Sequence, residues 1–278
     1  MTQYRDTYAL IHLDYLEDNV NTLYHKVQKP MMAIIKANAY GHGYQQVASV
    51  LKDNPVIAMF GVATLKEAID LRKAGIDKDI LVLGAIPLED LDMVIDYDIT
   101  LTLYSHEYMQ EIIYLYHHYK PVKVHIKIDT GMNRLGFKTK QEFEHVLSSC
   151  PPHIFQIDGV FTHFATADDE MQNEAYEQQL RLFDEMIGQH HFQYIHCQNS
   201  AAMMYHKHTS SNMTRIGIAM YGVDPAGEEC DSLKQVMSLY TKVAMIKHIK
   251  KGEYVGYGYT YQALEDEFIA TLPIGYAD

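Results

Sequence analysis

Lys36 is the residue whose type fits its surroundings least. It ends the apolar run Met-Ala-Ile-Ile-Lys and is followed by Ala-Asn-Ala-Tyr-Gly-His-Gly. Because the preceding residues are apolar, its ammonium group must be desolvated or paired. One interpretation is a salt bridge at the edge of the fold, which residue type alone favours. The other is a lysine whose pKa is lowered, so that its amine can form a Schiff base or accept a proton.

Other polar residues follow apolar runs at comparable places along the chain. In chain order they are Asp129 and Arg134, then His163, then Asn199 and Ser200, and finally Arg215, which is followed by the small or apolar residues Gly217 and Ile218. The stretch RIGIAMYG, which begins at Arg215, has small residues and free backbone N–H groups that suit a phosphate. Ser200 would add a hydroxyl group. The sequence therefore predicts a phosphate-binding loop here.

Several other chemistries lack their characteristic motifs. The histidine pairs His117–His118 and His190–His191 have neither an HExxH pattern nor a carboxylate at ligand spacing, so we expect no metal site. No GxSxG motif and no carboxylate pair suited to glycoside hydrolysis is present. The three cysteines form no CxxC motif, which indicates neither a disulfide scaffold nor a zinc site.

The elements that must position these residues alternate in type. Short apolar runs rich in β-branched residues alternate with longer segments of helical period, as in βα units around a parallel sheet. Eight such runs begin at Met31, Ala58, Asp79, Ile99, Lys123, Gly159, Gln193 and Asn212. An open doubly wound sheet would also alternate, but no GxGxxG motif follows the first run. The pattern favours a (β/α)₈ barrel, in which the polar residues above share the carboxyl-terminal end.

A second, all-β domain follows the barrel. From Ser238 onward the chain reads as strands joined by glycine turns, without a helical period. We therefore predict a barrel domain over residues 1–233 and the start of a β domain over residues 234–278. With so few residues, this β domain is expected to be short or incomplete.

Composition and charge narrow the class of protein. The chain has 278 residues, 47% hydrophobic and 21% charged, which is typical of a globular protein. Its net charge of −13 makes nucleic acid and anionic membranes poor partners. The amino terminus lacks the apolar segment of a signal peptide, and no apolar stretch is long enough to span a membrane. A cytoplasmic location is expected.

The motif AIIKANAYGHG resembles a block of the alanine racemases, which depend on pyridoxal 5′-phosphate (PLP). The segments KIDTGMNRLGF, VFTHFATAD, HCQNSAA, RIGIAMYG, VGYGYTY and LPIGYAD resemble further blocks of that family, in the same order. The resemblance implies a (β/α)₈ barrel followed by a β domain, in a head-to-tail homodimer. It also implies a bacterial enzyme that interconverts L- and D-alanine and so supplies D-alanine for cell-wall peptidoglycan.

The resemblance assigns roles residue by residue. Lys36 would be the Schiff-base lysine and one catalytic base, and Tyr257, from the partner subunit, would be the second base. Arg215 would face the pyridine nitrogen, and His163 would lie beside the ring. The other roles are phosphate contacts at Tyr40, Ser200, Gly217 and Ile218, a further cofactor contact at Asn199, and substrate contacts at Arg134 and Tyr276. Lys127 corresponds to a position that is carbamylated in some members and orients Arg134.

Two alternatives stay open at this point. A racemase of the same fold could act on serine or on several amino acids, because one sequence does not identify the residues that select the side chain. The chain could also bind PLP without turnover. A second base at Tyr257, together with Arg134 and Arg215, argues against a simple carrier.

Overall fold

The structure is a computed structural model that describes residues 5–206, 210–227 and 230–276. It divides into two units. The larger unit is Leu13–Val236, and the smaller unit combines the residues before Leu13 with those after Val236.

An eight-stranded parallel sheet forms the centre of the larger unit. Its strands are β2 (Met31–Ile34), β3 (Ile57–Val62), β4 (Asp79–Val82), β5 (Thr100–Leu103), β6 (Val122–Lys127), β7 (Phe155–Phe161), β8 (Tyr194–His196) and β9 (Thr214–Ile216). They are ordered β8-β7-β6-β5-β4-β3-β2-β9. The two strands at the ends of this order are β8 and β9. Between them, the backbone N–H of Arg215 donates to the carbonyl of Gln198 at 2.9 Å. The predicted (β/α)₈ barrel is thereby confirmed, and each of its eight strands overlaps one of the eight apolar runs.

Helices follow the strands, as a parallel barrel requires. They are α1 (Leu13–Val27), the short turn α2 (Lys36–Tyr40), α3 (Tyr44–Leu51), α4 (Leu65–Lys73), α5 (Leu91–Asp96), α6 (His106–Leu115), α7 (Lys140–Ser149), α8 (Asn173–Ile187) and α9 (Ser200–Tyr205). In α8, Tyr176, Leu180, Phe183 and Ile187 are buried at helical spacing, so that helix is held by one apolar face. Both α4 and α7 begin with a capping box, Thr64 with Glu67 and Thr139 with Glu142.

Burial on both faces explains why the barrel strands read as continuous apolar runs. All four residues of β2 are buried, and β5 is likewise buried throughout. Only a few polar side chains interrupt this core. His125 in β6 and His196 in β8 are the most deeply buried titratable groups among them. Buried polar groups of this kind need hydrogen-bond partners, which are described with the site.

The smaller unit consists of three two-stranded antiparallel sheets. They pair β1 (Tyr8–Ile11) with β10 (Met237–Tyr240), β11 (Met245–Ile249) with β14 (Glu267–Thr271), and β12 (Tyr254–Val255) with β13 (Tyr261–Gln262). The first strand of the chain thus pairs with the segment after the barrel, with Tyr8 opposite Tyr240. The domain limits at residues 233 and 234 remain a prediction. Asp278, with which the sequence ends, lies outside the described residues.

Within the described part of the chain, no helix has the length and apolar character needed to cross a membrane.

Candidate active site

Lys36 lies two residues after the end of β2, at the start of an unusual left-handed turn. Ala37, Asn38, Ala39 and Tyr40 all have φ between 51° and 54°. This conformation costs non-glycine residues roughly 1–2 kcal/mol each. Gly41, with φ 90°, ends the turn, and its N–H donates to the carbonyls of Ala37 and Asn38. Four consecutive strained residues next to a candidate catalytic lysine indicate a conformation that the surrounding structure imposes.

A cavity of about 410 Å³ opens at the carboxyl-terminal end of the barrel, where Lys36 lies. Ten of the residues selected from the sequence line it: Lys36, Tyr40, Lys127, Arg134, His163, Asn199, Ser200, Arg215, Gly217 and Ile218. Tyr257 and Tyr276 belong to the smaller unit, where both side chains are exposed. The barrel thus brings ten of the twelve predicted site residues together.

Lys36 is half-buried in this cavity. Burial lowers the pKa of its amine, and the nearby Arg134 guanidinium lowers the pKa further. The carboxylate of Glu67 acts in the opposite direction and raises the pKa. A lowered pKa makes the neutral amine, which is the form that attacks a carbonyl or accepts a proton, more accessible near neutral pH.

Ser200 and the loop after β9 form one end of the cavity. The Ser200 Oγ accepts hydrogen bonds from the backbone N–H groups of Gly217, at 3.0 Å, and Ala219, at 3.4 Å. Asn199 is the N-cap of α9 and accepts from the Ala202 N–H at 2.9 Å. A Cβ atom at Gly217 would lie 3.1 Å from the Tyr40 hydroxyl. Glycine therefore keeps this end open for a small group beside Tyr40 and Ser200.

Arg215 is buried at the floor of the cavity and is held by several acceptors. Its guanidinium donates to the carbonyls of Thr162, at 2.8 Å, Cys197, at 3.1 Å, and His196. It also lies 3.1 Å from His196 Nδ1 and 3.3 Å from His163 Nδ1. Burial lowers the pKa of Arg215 to about 10, so it remains a cation at neutral pH.

Behind Arg215, two histidines form a chain that sequence reasoning missed. His196 Nε2 lies 2.8 Å from His125 Nδ1, and both rings are fully buried. If His196 Nδ1 accepts from Arg215, its Nε2 carries the proton and donates to His125. Burial lowers the pKa of His125 to about 3 and that of His196 well below its ordinary range. The available signal was the presence of His125 and His196 within buried barrel strands.

Burial and the charge of Arg215 also lower the pKa values of His163 and Lys127. Burial lowers the pKa of His163 to about 2, with Arg215 as the next largest cause. Burial, followed by the charge of Arg215, lowers the pKa of Lys127 well below its ordinary range. The Lys127 Nζ lies 4.9 Å from the centre of the Phe161 ring. His163 is therefore neutral in this cavity at neutral pH, and the charged form of Lys127 is disfavoured.

A separate cluster lies on the surface. His118 Nε2 is 2.8 Å from Asp92 Oδ1, and His117 Nε2 is 3.7 Å from the same oxygen. The side chains of Asp92 and His117 are largely exposed, and the geometry is that of a surface ion pair. The sequence did not suggest a carboxylate near these histidines, because Asp92 comes from α5, before β5 and α6.

A barrel with a lysine of lowered pKa and a small anion site at its carboxyl-terminal end is typical of enzymes that hold a phosphorylated cofactor. Residues 11–225 match the family model of the alanine racemase N-terminal domain, and residues 236–278 match that of the C-terminal domain. The chain belongs to the alanine racemase family, and it is a PLP-dependent isomerase that racemises alanine.

Individual relatives agree with this assignment. An alanine racemase of Streptococcus uberis is 37% identical over 282 residues, covering 99% of this chain and 76% of the relative. Alanine racemase 1 of Bacillus subtilis is 41% identical over 287 residues, covering 99% and 72%. A crystal structure of alanine racemase from E. faecalis superposes with a TM-score of 0.92 at 34% identity, covering 100% of this chain and 77% of that one. This chain thus spans about three quarters of the length of these relatives.

The residues present fit PLP. Gly217 leaves room beside Tyr40 and Ser200 that a Cβ atom would narrow, and this open end suits the phosphate. Lys36 provides an amine of lowered pKa, which suits the aldehyde carbon. The buried Arg215 provides a donor for the pyridine nitrogen. These three features agree with the dependence on PLP that family membership establishes.

Proposed function

We propose that Lys36 holds PLP and also serves as one of two bases that exchange the α-proton of alanine. The observation that carries this assignment is the position of Lys36. It lies in the cavity with Ser200, Arg215 and Gly217, and its amine has a lowered pKa. The electron sink supplied by bound PLP stabilises the negative charge that develops on the substrate Cα.

The phosphate would bind at the end of the cavity formed by Tyr40, Ser200, Gly217 and Ile218, with Asn199 supporting Ser200 from the N-cap of α9. Support comes from the Ser200 Oγ, which orders the loop N–H groups of Gly217 and Ala219. A rigid loop with its N–H groups held in place loses little entropy when it binds an anion.

Arg215 would donate to the pyridine nitrogen and keep its own proton. Even with a pKa of about 10, its guanidinium remains protonated at neutral pH, so the ring nitrogen receives a hydrogen bond and no proton. His163 would lie beside the ring, where burial and the charge of Arg215 keep it neutral. By keeping its proton, Arg215 would favour direct return of the proton to Cα over side reactions.

Arg134 would bind the substrate carboxylate. Lys127 lies in the same cavity, and its lowered pKa leaves a neutral amine that can react with carbon dioxide. Formation of the N–C bond with loss of one proton would give a carbamate, whose negative charge would pair with Arg134 and orient it. This proposal accounts for a lysine buried among cations, which is otherwise costly.

Tyr257 would be the second base, contributed to the site by a partner subunit in a head-to-tail homodimer, and Tyr276 would lie at the entrance. Support for this part comes from the segments VGYGYTY and LPIGYAD and from the family assignment of residues 236–278. Racemisation needs one group on each face of Cα, and Lys36 supplies only one. We further propose a bacterial cytoplasmic location, where the product D-alanine would enter cell-wall synthesis.

The first experiment is borohydride reduction of the PLP-loaded protein, followed by peptide mapping of the trapped pyridoxyl group. Label on Lys36 would support the assignment, whereas label absent from Lys36 or spread over surface lysines would contradict it. Light scattering, together with turnover of alanine and serine, would then test the homodimer and the substrate. Label on Lys36 without turnover would support the cofactor site and contradict the role of Lys36 as a base.

A further inference from the structure

The carboxylate of Glu67 joins helix α4 to the strained turn that follows Lys36. Its Oε2 accepts from the N–H groups of Ala63, at 2.8 Å, and Thr64, at 3.2 Å, and this completes the capping box of α4. Its Oε1 accepts from the N–H of Ala37 at 2.7 Å. One side chain therefore fixes a helix start and the first residue of the left-handed turn at the same time.

Comparison with the capping box of α7 shows that a capping glutamate does not need the additional hydrogen bond that Glu67 accepts from Ala37. In α7, Glu142 Oε2 accepts from the N–H groups of Lys138, at 2.9 Å, and Thr139, at 3.0 Å. Within the described residues, these bonds of Glu142 stay inside its own loop and reach no second element. The two boxes have the same local chemistry, and the contact with Ala37 is specific to Glu67.

The turn that Glu67 holds carries two residues of the proposed site. Lys36 comes directly before Ala37, and Tyr40 is the last of the four residues with positive φ. A hydrogen bond to a carboxylate is about twice as strong as one between neutral groups. Without this acceptor, the N–H of Ala37 would no longer be held in place. The four strained residues would then lose one of the contacts that keep them in the left-handed conformation.

Glu67 also acts on Lys36 by its charge. The charged and titratable groups that interact with Lys36 are Arg134, which lowers its pKa, Glu67, which raises it, and the neutral His163. Glu67 is thus the acidic group that opposes both burial and Arg134. A substitution that removes only the charge can therefore be distinguished from one that removes only the contact.

We propose that Glu67 is a positioning residue for Lys36, holding the left-handed turn through the N–H of Ala37 so that Lys36 and Tyr40 both face the cofactor cavity. This inference rests on the proposed role of Lys36. Glu67 itself touches neither the cofactor nor the substrate in this scheme, and it acts through the backbone.

The test compares four variants of the full chain, freed of cofactor and titrated with PLP. Glu67→Gln removes the charge and one strong acceptor. Glu67→Asp keeps the charge but shortens the side chain by one carbon, so that it no longer reaches both Ala37 and its own cap. Glu142→Gln removes the matched capping carboxylate, and Thr64→Ala weakens the α4 cap while leaving the contact with Ala37. Circular dichroism verifies that each variant is folded.

Two quantities are measured: the dissociation constant for PLP and the pH midpoint of borohydride-trapped labelling at Lys36. We expect Glu67→Gln and Glu67→Asp to weaken PLP binding roughly tenfold, the effect of one charge-assisted hydrogen bond. Because the Glu67 charge raises the pKa of Lys36, Glu67→Gln should also move the midpoint to lower pH, whereas Glu67→Asp should not. Glu142→Gln and Thr64→Ala should leave both quantities unchanged.

The outcomes separate this inference from the proposed function. If the unchanged protein carries no label on Lys36, the assignment of Lys36 fails. If it is labelled at Lys36 and both Glu67 variants bind PLP like Glu142→Gln, the positioning role of Glu67 is refuted. A midpoint shift in Glu67→Gln with normal PLP affinity would also refute positioning, because only the charge would then matter.

Discussion

Acid should destabilise the barrel through its two buried histidines. In the folded protein, burial lowers the pKa of His125 to about 3 and that of His196 well below its ordinary range, so both rings are neutral. In the unfolded chain each would have a pKa of about 6.5. At pH values between the folded and the unfolded pKa, the unfolded state binds more protons than the folded state does. The free energy of unfolding therefore falls as the pH drops below about 6.5.

The size of the effect follows from this linkage. Between pH 7 and pH 5, each histidine that stays neutral in the fold and titrates in the unfolded chain costs roughly 2 kcal/mol of unfolding free energy. For His125 alone, this loss is a sizeable part of the 5–15 kcal/mol typical of a folded domain. His125→Asn, which retains a polar group near the position of Nδ1, should reduce the loss over this interval by about 2 kcal/mol.

Urea unfolding followed by circular dichroism at 222 nm measures this difference, because all the α-helices described lie in the larger unit. The control is Thr102→Val, since Thr102 lies beside His125 on the neighbouring strand and donates to the Val82 carbonyl at 2.7 Å. It should lower stability by a similar amount at both pH values. An unchanged pH dependence in His125→Asn would refute the claim that His125 is neutral and buried.

Three further predictions concern packing, cofactor binding and catalysis. Gly159→Ala should lower the free energy of unfolding in urea by about 1–3 kcal/mol, because its Cβ would lie 2.8 Å from the buried ring of His125. A decrease of less than about 0.5 kcal/mol would contradict this packing. Ser200→Ala should weaken PLP binding about tenfold in a titration, because the phosphate loses the Ser200 hydroxyl and the Gly217 N–H loses the oxygen that orders it. Unchanged affinity would argue against a phosphate at this loop. Tyr257→Phe should slow racemisation by roughly 10²–10⁴-fold. The loss should be most visible in solvent-deuterium labelling that starts from one of the two enantiomers. Equal labelling from the two enantiomers, in the unchanged protein and in the variant, would contradict the two-base assignment.

The sequence predicted those features that depend on local pattern. Parallel strands buried on both faces produce continuous apolar runs, so all eight barrel strands could be located. Because the carboxyl ends of such strands converge, the polar residues that follow them, such as Lys36 and Arg215, could be assigned to one site. The pairing of the first strand with the segment after the barrel was not predicted, because Tyr8 and Tyr240 are separated by nearly the whole chain.

Features that depend on distant contacts or on backbone strain could not be predicted. Ala37 and Ala39 carry no signal of positive φ, since alanine normally avoids that region. Glu67 caps its own helix, but its other carboxylate oxygen accepts from Ala37, thirty residues earlier in the chain. The pairing of His125 with His196 depends on the curvature of the barrel, which brings β6 and β8 within contact across β7.

The charge of the cavity explains why its ionisable groups behave as they do. The chain as a whole carries −13, yet the cavity is lined by Lys36, Lys127, Arg134 and Arg215, with Asp168 as the acidic residue among the described lining. Burial lowers the pKa of each lysine and of His163, and this excess of cations lowers these pKa values further. Ligands that bring a phosphate and a carboxylate relieve that repulsion, so this cavity favours the anions that a PLP-dependent enzyme acting on an amino acid must bind together.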